Sequence, residues 1–378
     1  MNAQIFSPFG VFVSNNEIFI ADTENHCIRK VLHNGQIVTL CGIPRQSGTS
    51  HDGQPTTSSK LHSPKCVLVS SSHRVYISEE DGHCVKCIDQ NGIISTICGM
   101  DGNGTFNGDD QLAKCATLRY PHDLYMTDDD ELLIADCGNH RVRKIDQFGR
   151  ISTIAGNGNR TFNGDGQLAI HAAIDCPTGV CKYKQDIYIV TDNRIRKVDE
   201  NGIISTICGT GVPGYNGDDQ PANQTLLNYP QSISVTRDGI FFTDRENQCV
   251  RKILPNGAIQ TIAGTGTEDK NGVMATDVAL EYPSGLFVDE TSGVVYFSEC
   301  YGNRIRRVDE KGVIWNVAGT GESGYSGDVE FDFEKCPHVG PKRKQWMKLF
   351  VKAYHDITFR LKTQCSTLVC HVSSGGYV

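Results

Sequence analysis

Two sequence markers recur on one beat, and that beat limits the fold more than any other property of the chain. A proline followed by an apolar run occurs at Pro8, Pro64, Pro121, Pro177, Pro230 and Pro283, at intervals of 56, 57, 56, 53 and 53 residues. An apolar run closing on Cys-Gly or Ala-Gly occurs at Gly42, Gly99, Gly156, Gly209, Gly264 and Gly319. Two independent markers keeping step six times define a true internal repeat, so the fold must be six copies of one supersecondary unit.

Each copy reads as four short strands. In the third, Asp123-Leu124-Tyr125-Met126 follows Pro121, and Leu132-Leu133-Ile134-Ala135-Asp136 comes after a polar turn. Arg141-Val142-Arg143-Lys144-Ile145 and Ile151-Ser152-Thr153-Ile154-Ala155 complete the unit. These runs are rich in β-branched residues and bounded by Gly, Asn and Asp, the pattern of strands. The turn between third and fourth strands is Asn34-Gly35, Asn91-Gly92, Asn201-Gly202 and Asn256-Gly257 in four copies. That dipeptide predicts a type I′ turn, with positive φ at both central positions. The 3.6-residue apolar period of a helical solenoid is missing. Four antiparallel strands repeated radially make a propeller blade. The expected fold is therefore all-β: a six-bladed β-propeller of four-stranded antiparallel blades over residues 1–328, followed by a non-propeller, helical tail over 329–378.

The segments Ala21-Asp22-Thr23-Glu24-Asn25-His26-Cys27-Ile28-Arg29-Lys30-Val31 and Ala135-Asp136-Cys137-Gly138-Asn139-His140-Arg141-Val142-Arg143-Lys144-Ile145 resemble NHL repeats, as do Thr243 to Ile253 and Ser298 to Val308. The resemblance covers roughly residues 8 to 328. It implies a six-bladed propeller used as a binding platform; some relatives are metal-dependent lyases, and some NHL propellers bind RNA. Two copies depart from the pattern. The second reads Glu79-Glu80-Asp81-Gly82-His83, without the Asn, and the fourth shortens the turn to Asp192-Asn193-Arg194, where an irregular ring is expected.

Alternating strand direction sorts the loops by face. One face carries only short turns. The other carries the Asn-His turn and a connector of about twenty residues, although five or six extended residues would cross a blade. The surplus predicts extra structure in the connectors and puts the working surface on their face. The connectors share Phe106-Asn107-Gly108-Asp109, Phe162-Asn163-Gly164-Asp165, Tyr215-Asn216-Gly217-Asp218 and Tyr325-Ser326-Gly327-Asp328. The reading is an aromatic anchor, a Gly turn and an Asp capping a short helix; a calcium loop would need a distal bidentate Glu that is absent here.

Several residue sets were weighed as sites. Asp22, Glu79, Asp136, Asp192, Asp244 and Glu299 pair by repeat position with Arg29, Lys86, Arg143, Arg196, Arg251 and Arg306, which reads as a brace, since a catalytic acid belongs to one blade and not six. His26, His83 and His140 share one slot but lie on different blades, so no metal site and no cofactor is expected, and these residues are candidates for binding. Tyr120, Tyr229 and Tyr282 precede innermost strands, with Arg119 and Arg245 nearby; amphipathic rings of this kind suit a binding surface. No catalytic residue is assigned.

The 16 Cys divide by slot: Cys41, Cys98 and Cys208 replace core alanines, and Cys27, Cys84 and Cys249 share another slot. Thirteen lie before residue 329, an odd number that counts against a closed disulfide set. The start of the chain shows no secretory pattern, so a reducing, cytoplasmic setting is expected, although sequons at Asn103, Asn159 and Asn223 leave secretion open. Net charge is −8 overall; residues 1–328 carry −12 and residues 329–378 carry +4. An acidic ring argues against nucleic acid. In the tail, Trp346, Leu349, Phe350, Ala353, Tyr354 and Ile357 fall on one helical face, with Lys344, Lys348 and Lys352 opposite. Such a helix is suited to a membrane surface, a partner groove, or packing on the propeller. The functional expectation is a monomeric, non-enzymatic platform for a protein or glycan partner. The alternatives are a metal-dependent propeller enzyme of lyase or lactonase type, and an RNA-binding propeller.

Overall fold

A computed structural model describes residues 3–99 and 104–328. Its strands form six separate antiparallel sheets, each following chain order from its first strand to its fourth. In blade 3 these strands are Pro121–Met126, Leu132–Asp136, Arg141–Ile145 and Arg150–Ala155. The first strands of neighbouring blades pack against one another around the whole ring, and they line a narrow axial channel. The molecule is a six-bladed β-propeller. The apolar core is correspondingly split into clusters between adjacent blades. One joins Phe241, Val250 and Ala263 of blade 5 to Leu286, Phe297 and Ile314 of blade 6. Another joins Val11, Ile18 and Ile20 of blade 1 to Ile305 and Ala318 of blade 6, so the ring closes on itself by the same packing.

The surplus connector length makes structure, as expected. In blades 2, 3, 4 and 6 the arriving connector adds a two-residue fifth strand outside the fourth, such as Gln111–Leu112, and then a single 3₁₀ turn, such as Ala113–Cys115. Blade 4 is as regular as the others, which corrects the expectation of an irregular ring. There Asp192 and Asn193 both adopt left-handed φ, 45° and 52°, and join Thr191 directly to its strand partner Arg194. Two left-handed residues are what a type I′ hairpin requires. The Asn-Gly turns do not have that form. Gly35, Gly92, Gly202 and Gly257 have φ of 75–82°, whereas the preceding asparagines do not have positive φ. The Gly35 N–H returns to Leu32 O, so glycine supplies the single left-handed residue that follows an ordinary turn.

The six prolines mark a further constraint. Each is preceded by a non-glycine residue in left-handed conformation: Ser7, Ser63, Tyr120, Cys176, Tyr229 and Tyr282, with φ between 39° and 54°. This conformation costs about 1–2 kcal/mol per residue, so something must hold it. Two groups from the Asn-His turns do so. The buried acid closing the second strand accepts the N–H two residues before the proline: Asp22 from Phe6, Asp136 from Arg119 and Asp244 from Asn228, each at 2.7 Å, and Glu299 from Glu281 at 2.9 Å. The His slot of one blade accepts the N–H just before the proline of the next. His26 takes Ser63, His83 takes Tyr120, His140 takes Cys176, Asn193 takes Tyr229, and Asn303 takes Ser7 across the closure.

The connector motif grips the third-strand arginine of the blade it reaches. Arg143 donates to Gly108 O and Asp109 Oδ1, both at 2.9 Å, and lies under the Phe106 ring. Arg196 with Asp165, and Arg251 with Asp218, repeat the arrangement at 2.7 and 2.9 Å. The connector Asp therefore caps no helix, contrary to expectation. The residues flanking the 3₁₀ turns make no side-chain cap, and the carboxylate is spent on a buried guanidinium. The last described segment, ending at Asp328, serves blade 1 in the same way. Asp328 bonds Arg29 at 2.7 Å and Thr39 at 2.7 Å, and Tyr325 stacks on Arg29. The first and last described segments thus meet at blade 1. The basic tail, with its helical pattern, lies outside the described residues.

Replacing Asp328 with Ala removes the closing carboxylate while Arg29 remains buried. Equilibrium urea unfolding is expected to show a loss of about 2–4 kcal/mol, with the largest opening at blade 1 by hydrogen exchange.

Candidate functional site

Residues from all six innermost strands and their leading turns line a cavity of about 30 Å³ on the axis, room for a water or two. Asp123 is half-buried there. It accepts the Val180 N–H of blade 4 at 3.0 Å, and the Cys66 thiol of blade 2 lies 3.3 Å away, so one carboxyl ties three inner strands together. Burial pushes its pKa from 3.8 up to about 6, against the pull of these hydrogen bonds. At the channel's connector end, Lys65 and His122 hold Glu80 from two sides, both at 3.0 Å. Among the described residues no three His, Cys, Asp or Glu side chains converge as metal ligands would.

The acid slot turns out to be bracing. Asp22, Asp136, Asp244 and Glu299 lie 3.1–3.6 Å from Arg29, Arg143, Arg251 and Arg306, all nearly inaccessible to solvent. Asp22, Asp136 and Asp244 also take the turn asparagine, Asn25, Asn139 or Asn247, whose amide in turn reaches the connector backbone. The fourth pair needs correction: Asp192 bonds Arg194 at 2.5 Å, and Arg196 turns to Asp165. In blade 4 the tight hairpin pulls Asp192 toward the surface and away from the buried arginine.

The candidate binding residues form two groups on the connector face. Tyr229 and Tyr282 gather with Tyr301 around Arg245, whose guanidinium lies 6.0, 4.9 and 5.6 Å from the three ring centres. Tyr282 and Tyr301 meet edge to face at 4.6 Å, while Tyr229 is 50% and Tyr301 58% exposed. Tyr120 stands apart, edge-on to the His83 ring at 4.5 Å, with Arg119 5.8 Å from its ring centre. It borders a cleft of about 570 Å³ between blades 3 and 4, lined also by His140, Arg141, Arg160, Cys137 and Cys176. The three histidines are therefore not brought together. Each spends Nδ1 on a backbone N–H of the next blade, and burial lowers the pKa of all three, which favours the neutral ring that such an acceptor needs.

Sequence reasoning missed Tyr301, Arg160 and a disulfide between Cys137 and Cys176, which corrects the expectation drawn from the odd cysteine count. The repeat register held the signal. The residue after the acid slot faces the pre-proline residue of the next blade. That junction is Cys137 with Cys176 between blades 3 and 4, Arg245 with Tyr282 between blades 5 and 6, and Cys300 with Ser7, 2.9 Å apart, between blades 6 and 1. The slot assignment of Cys41, Cys98 and Cys208 to the core holds, since all three are inaccessible.

With six blades, the acid–Asn–His turn and the Arg-gripping connector in place, the molecule falls in the class of six-bladed propellers built on a repeated turn signature. The NHL repeat family matches residues 8–31 and 118–145 of this six-bladed propeller. Bovine NHL repeat-containing protein 2 is 23% identical over 335 residues, covering 82% of this chain and 39% of that protein. Mouse teneurin-4 is 25% identical over 282 residues, covering 63% of this chain but only 10% of its own length. The chain therefore spans a minor part of the curated relatives it matches. Among solved structures, a gluconolactonase from Xanthomonas campestris shares the fold, with TM-score 0.52, 11% identity, and coverage of 83% of this chain and 87% of that one. No helix among the described residues is long and apolar enough to cross a membrane.

Two outcomes follow from this geometry. A carboxyl whose pKa is higher in the folded ring than in the unfolded chain takes up its proton preferentially when folded. Asp123 thus contributes stability below pH 3.8 that is lost as pH rises through about 6. Denaturation of the wild type against Asp123→Asn should show the wild type gaining roughly 2 kcal/mol relative to the variant between pH 7.5 and pH 4.5. Replacing Cys137 and Cys176 with Ser opens a 39-residue covalent loop, and the unfolding free energy should fall by about 2–4 kcal/mol, with the thermal midpoint as readout.

Proposed function

We propose that this propeller is a non-enzymatic platform that captures a protein partner on its connector face. The observation that carries the reading is the patch of Tyr229, Tyr282 and Tyr301 around Arg245, in which aromatic surface is left in solvent on a ring whose other polar groups are largely engaged. Tyrosine and arginine dominate the energetics of protein interfaces because they bring large, nearly rigid contact area together with hydrogen-bonding tips. The patch draws on two blades at once, so its shape depends on the junction and not on one loop. A non-enzymatic role is supported by the fate of the acids: the blade acids that could serve catalysis are hydrogen-bonded within braces.

Tyr229→Ala combined with Tyr301→Ala is expected to reduce retention of partner on the immobilised propeller by tenfold or more, with the thermal midpoint changed by less than about 2 °C. Retention equal to wild type in the doubly substituted protein would remove this face from consideration.

A further inference from the structure

The cleft between blades 3 and 4 differs from the other junctions in its charge. Arg119 leads the blade-3 inner strand, and its backbone is fixed on both sides. Its N–H donates to Asp136 at 2.7 Å, and its carbonyl accepts the Gly138 N–H at 2.8 Å. A Cβ on Gly138 would fall 2.6 Å from Arg119 Cγ, so glycine is what lets the turn lie against the arginine stem. The guanidinium itself has no hydrogen bond or ion pair among the described residues and is exposed beside the Tyr120 ring.

Arg141, at the start of the third strand, is held differently from its repeat counterparts. Arg194 pairs with Asp192, and Arg304 pairs with Asp269. Arg141 meets no carboxylate. It donates to the carbonyls of Asn139 at 2.8 Å and Asn157 at 3.0 Å and stacks on Phe106 at 3.8 Å, so its position is fixed while its charge is not neutralised by an acid. The third guanidinium, Arg160, is 76% exposed and touches Asp175 only through Nε at 3.6 Å. Asp175 also faces His140 at 3.2 Å. Three guanidinium groups thus line one cleft, and only Arg160 touches a carboxylate, on a ring whose net charge is −12.

We infer that this cleft is an anion subsite that takes the carboxylate side chains of an acidic protein segment. The inference rests on the reading of the connector face as a protein-binding platform and names the chemistry of what one part of it binds. Guanidinium groups recognise planar carboxylates through paired N–H bonds; Arg119 offers a free one on an anchored backbone, and Arg141 one already ordered by its carbonyl bonds. The acidic surroundings select among anions. A nucleic acid strand carries a phosphate at every nucleotide, about 3.4 Å apart, and on a ring of net charge −12 it meets more repulsion than a segment with one or two acids. A protein segment needs only one or two acidic side chains in the cleft, and its remaining residues can meet the Tyr120–His83 ledge.

The test is fluorescence anisotropy of the full chain with three labelled probes: a peptide alternating glutamate and serine, the same peptide with glutamine for glutamate, and single-stranded oligouridylate. The glutamate peptide is expected to bind about tenfold or more tightly than the glutamine peptide, and to weaken with added salt. Arg119→Gln with Arg160→Gln should reduce that affinity about tenfold, while Arg119→Lys retains part of it; both side chains are exposed, so the unfolding midpoint should not move. Equal binding of the two peptides, indifference to the double substitution, or tighter binding of oligouridylate would each overturn the inference. Tyr229→Ala with Tyr301→Ala separates it from the platform reading. A glutamate preference that survives without any tyrosine-dependent capture supports the subsite and removes the platform; tyrosine-dependent capture without a glutamate preference removes the subsite alone.

Discussion

The buried third-strand guanidinium is the interaction on which this ring depends. Arg29, Arg143, Arg251 and Arg306 each lie between two carboxylates, one from their own blade and one from the arriving connector. Burying a charge is costly unless it is paired and hydrogen-bonded, and a pair that loses one member leaves the other uncompensated in low dielectric. The arrangement therefore couples three things that could otherwise vary separately: the turn that carries the acid, the strand that carries the arginine, and the path of the connector. The gain is specificity of path. A connector that missed its blade would leave a buried arginine half-paired, so the long loops are fixed where an apolar contact would tolerate sliding. Blade 1 shows the logic most plainly, since its second carboxylate comes from the far end of the propeller sequence and turns the same contact into the closure of the ring.

Periodicity made the ring legible and also concealed its chemistry. Two markers with a common beat sufficed for six blades, for strand order, and for the face with room for function, because blade geometry follows from alternating strands and loop length alone. The sequence reading was less secure wherever an interaction joined residues of different repeats. The connector Asp resembled a helix cap because Asp before a short Ala-containing stretch often is one; its partner, an arginine more than thirty residues away, has no local signature. The Asn-Gly dipeptide favours a type I′ turn, yet loop length decides turn type, and left-handed pairs occur instead at Asn15-Asn16 and Asp192-Asn193, where the hairpin has only two residues. The histidine slot, too, acquires its meaning from the next blade, where a strained residue before proline needs an acceptor.

It follows that residues obeying the repeat mostly describe the scaffold, and those breaking it carry the information about function. Asp136, Asn139 and Arg143 recur by slot and are consumed in bracing. Arg119 occupies a slot held elsewhere by Phe6, His62, Asp175, Asn228 and Glu281, so no structural rule demands a cation there. Cys137 and Cys176 are paired in a junction that other blades fill with arginine and tyrosine or with thiol and hydroxyl, which makes the covalent link a local choice and not a requirement of the fold. Tyr301 likewise stands where blade 3 has Gly138, within a turn that in both blades ends on a left-handed residue, His140 or Asn303.

Charge illustrates the same distinction between average and site. An acidic ring repels anions at a distance, but screening confines that field to about 8 Å at physiological ionic strength, and inside a cleft the nearest groups decide. Most cations in this propeller are already balanced: Arg29, Arg143, Arg251 and Arg306 by two carboxylates each, Arg196 by one, Arg194 and Arg304 by neighbouring acids, Lys30 and Lys144 by glutamates on their own blades. What remains unbalanced is therefore more informative than the total. Arg119 faces solvent and half-buried Arg141 meets no carboxylate, on the face where the chain has invested its connector length, beside a disulfide that fixes the junction between their blade and the next. A scaffold that neutralises its buried charges with this consistency makes its unpaired surface arginines the part of the molecule least explained by folding and most suited to a partner.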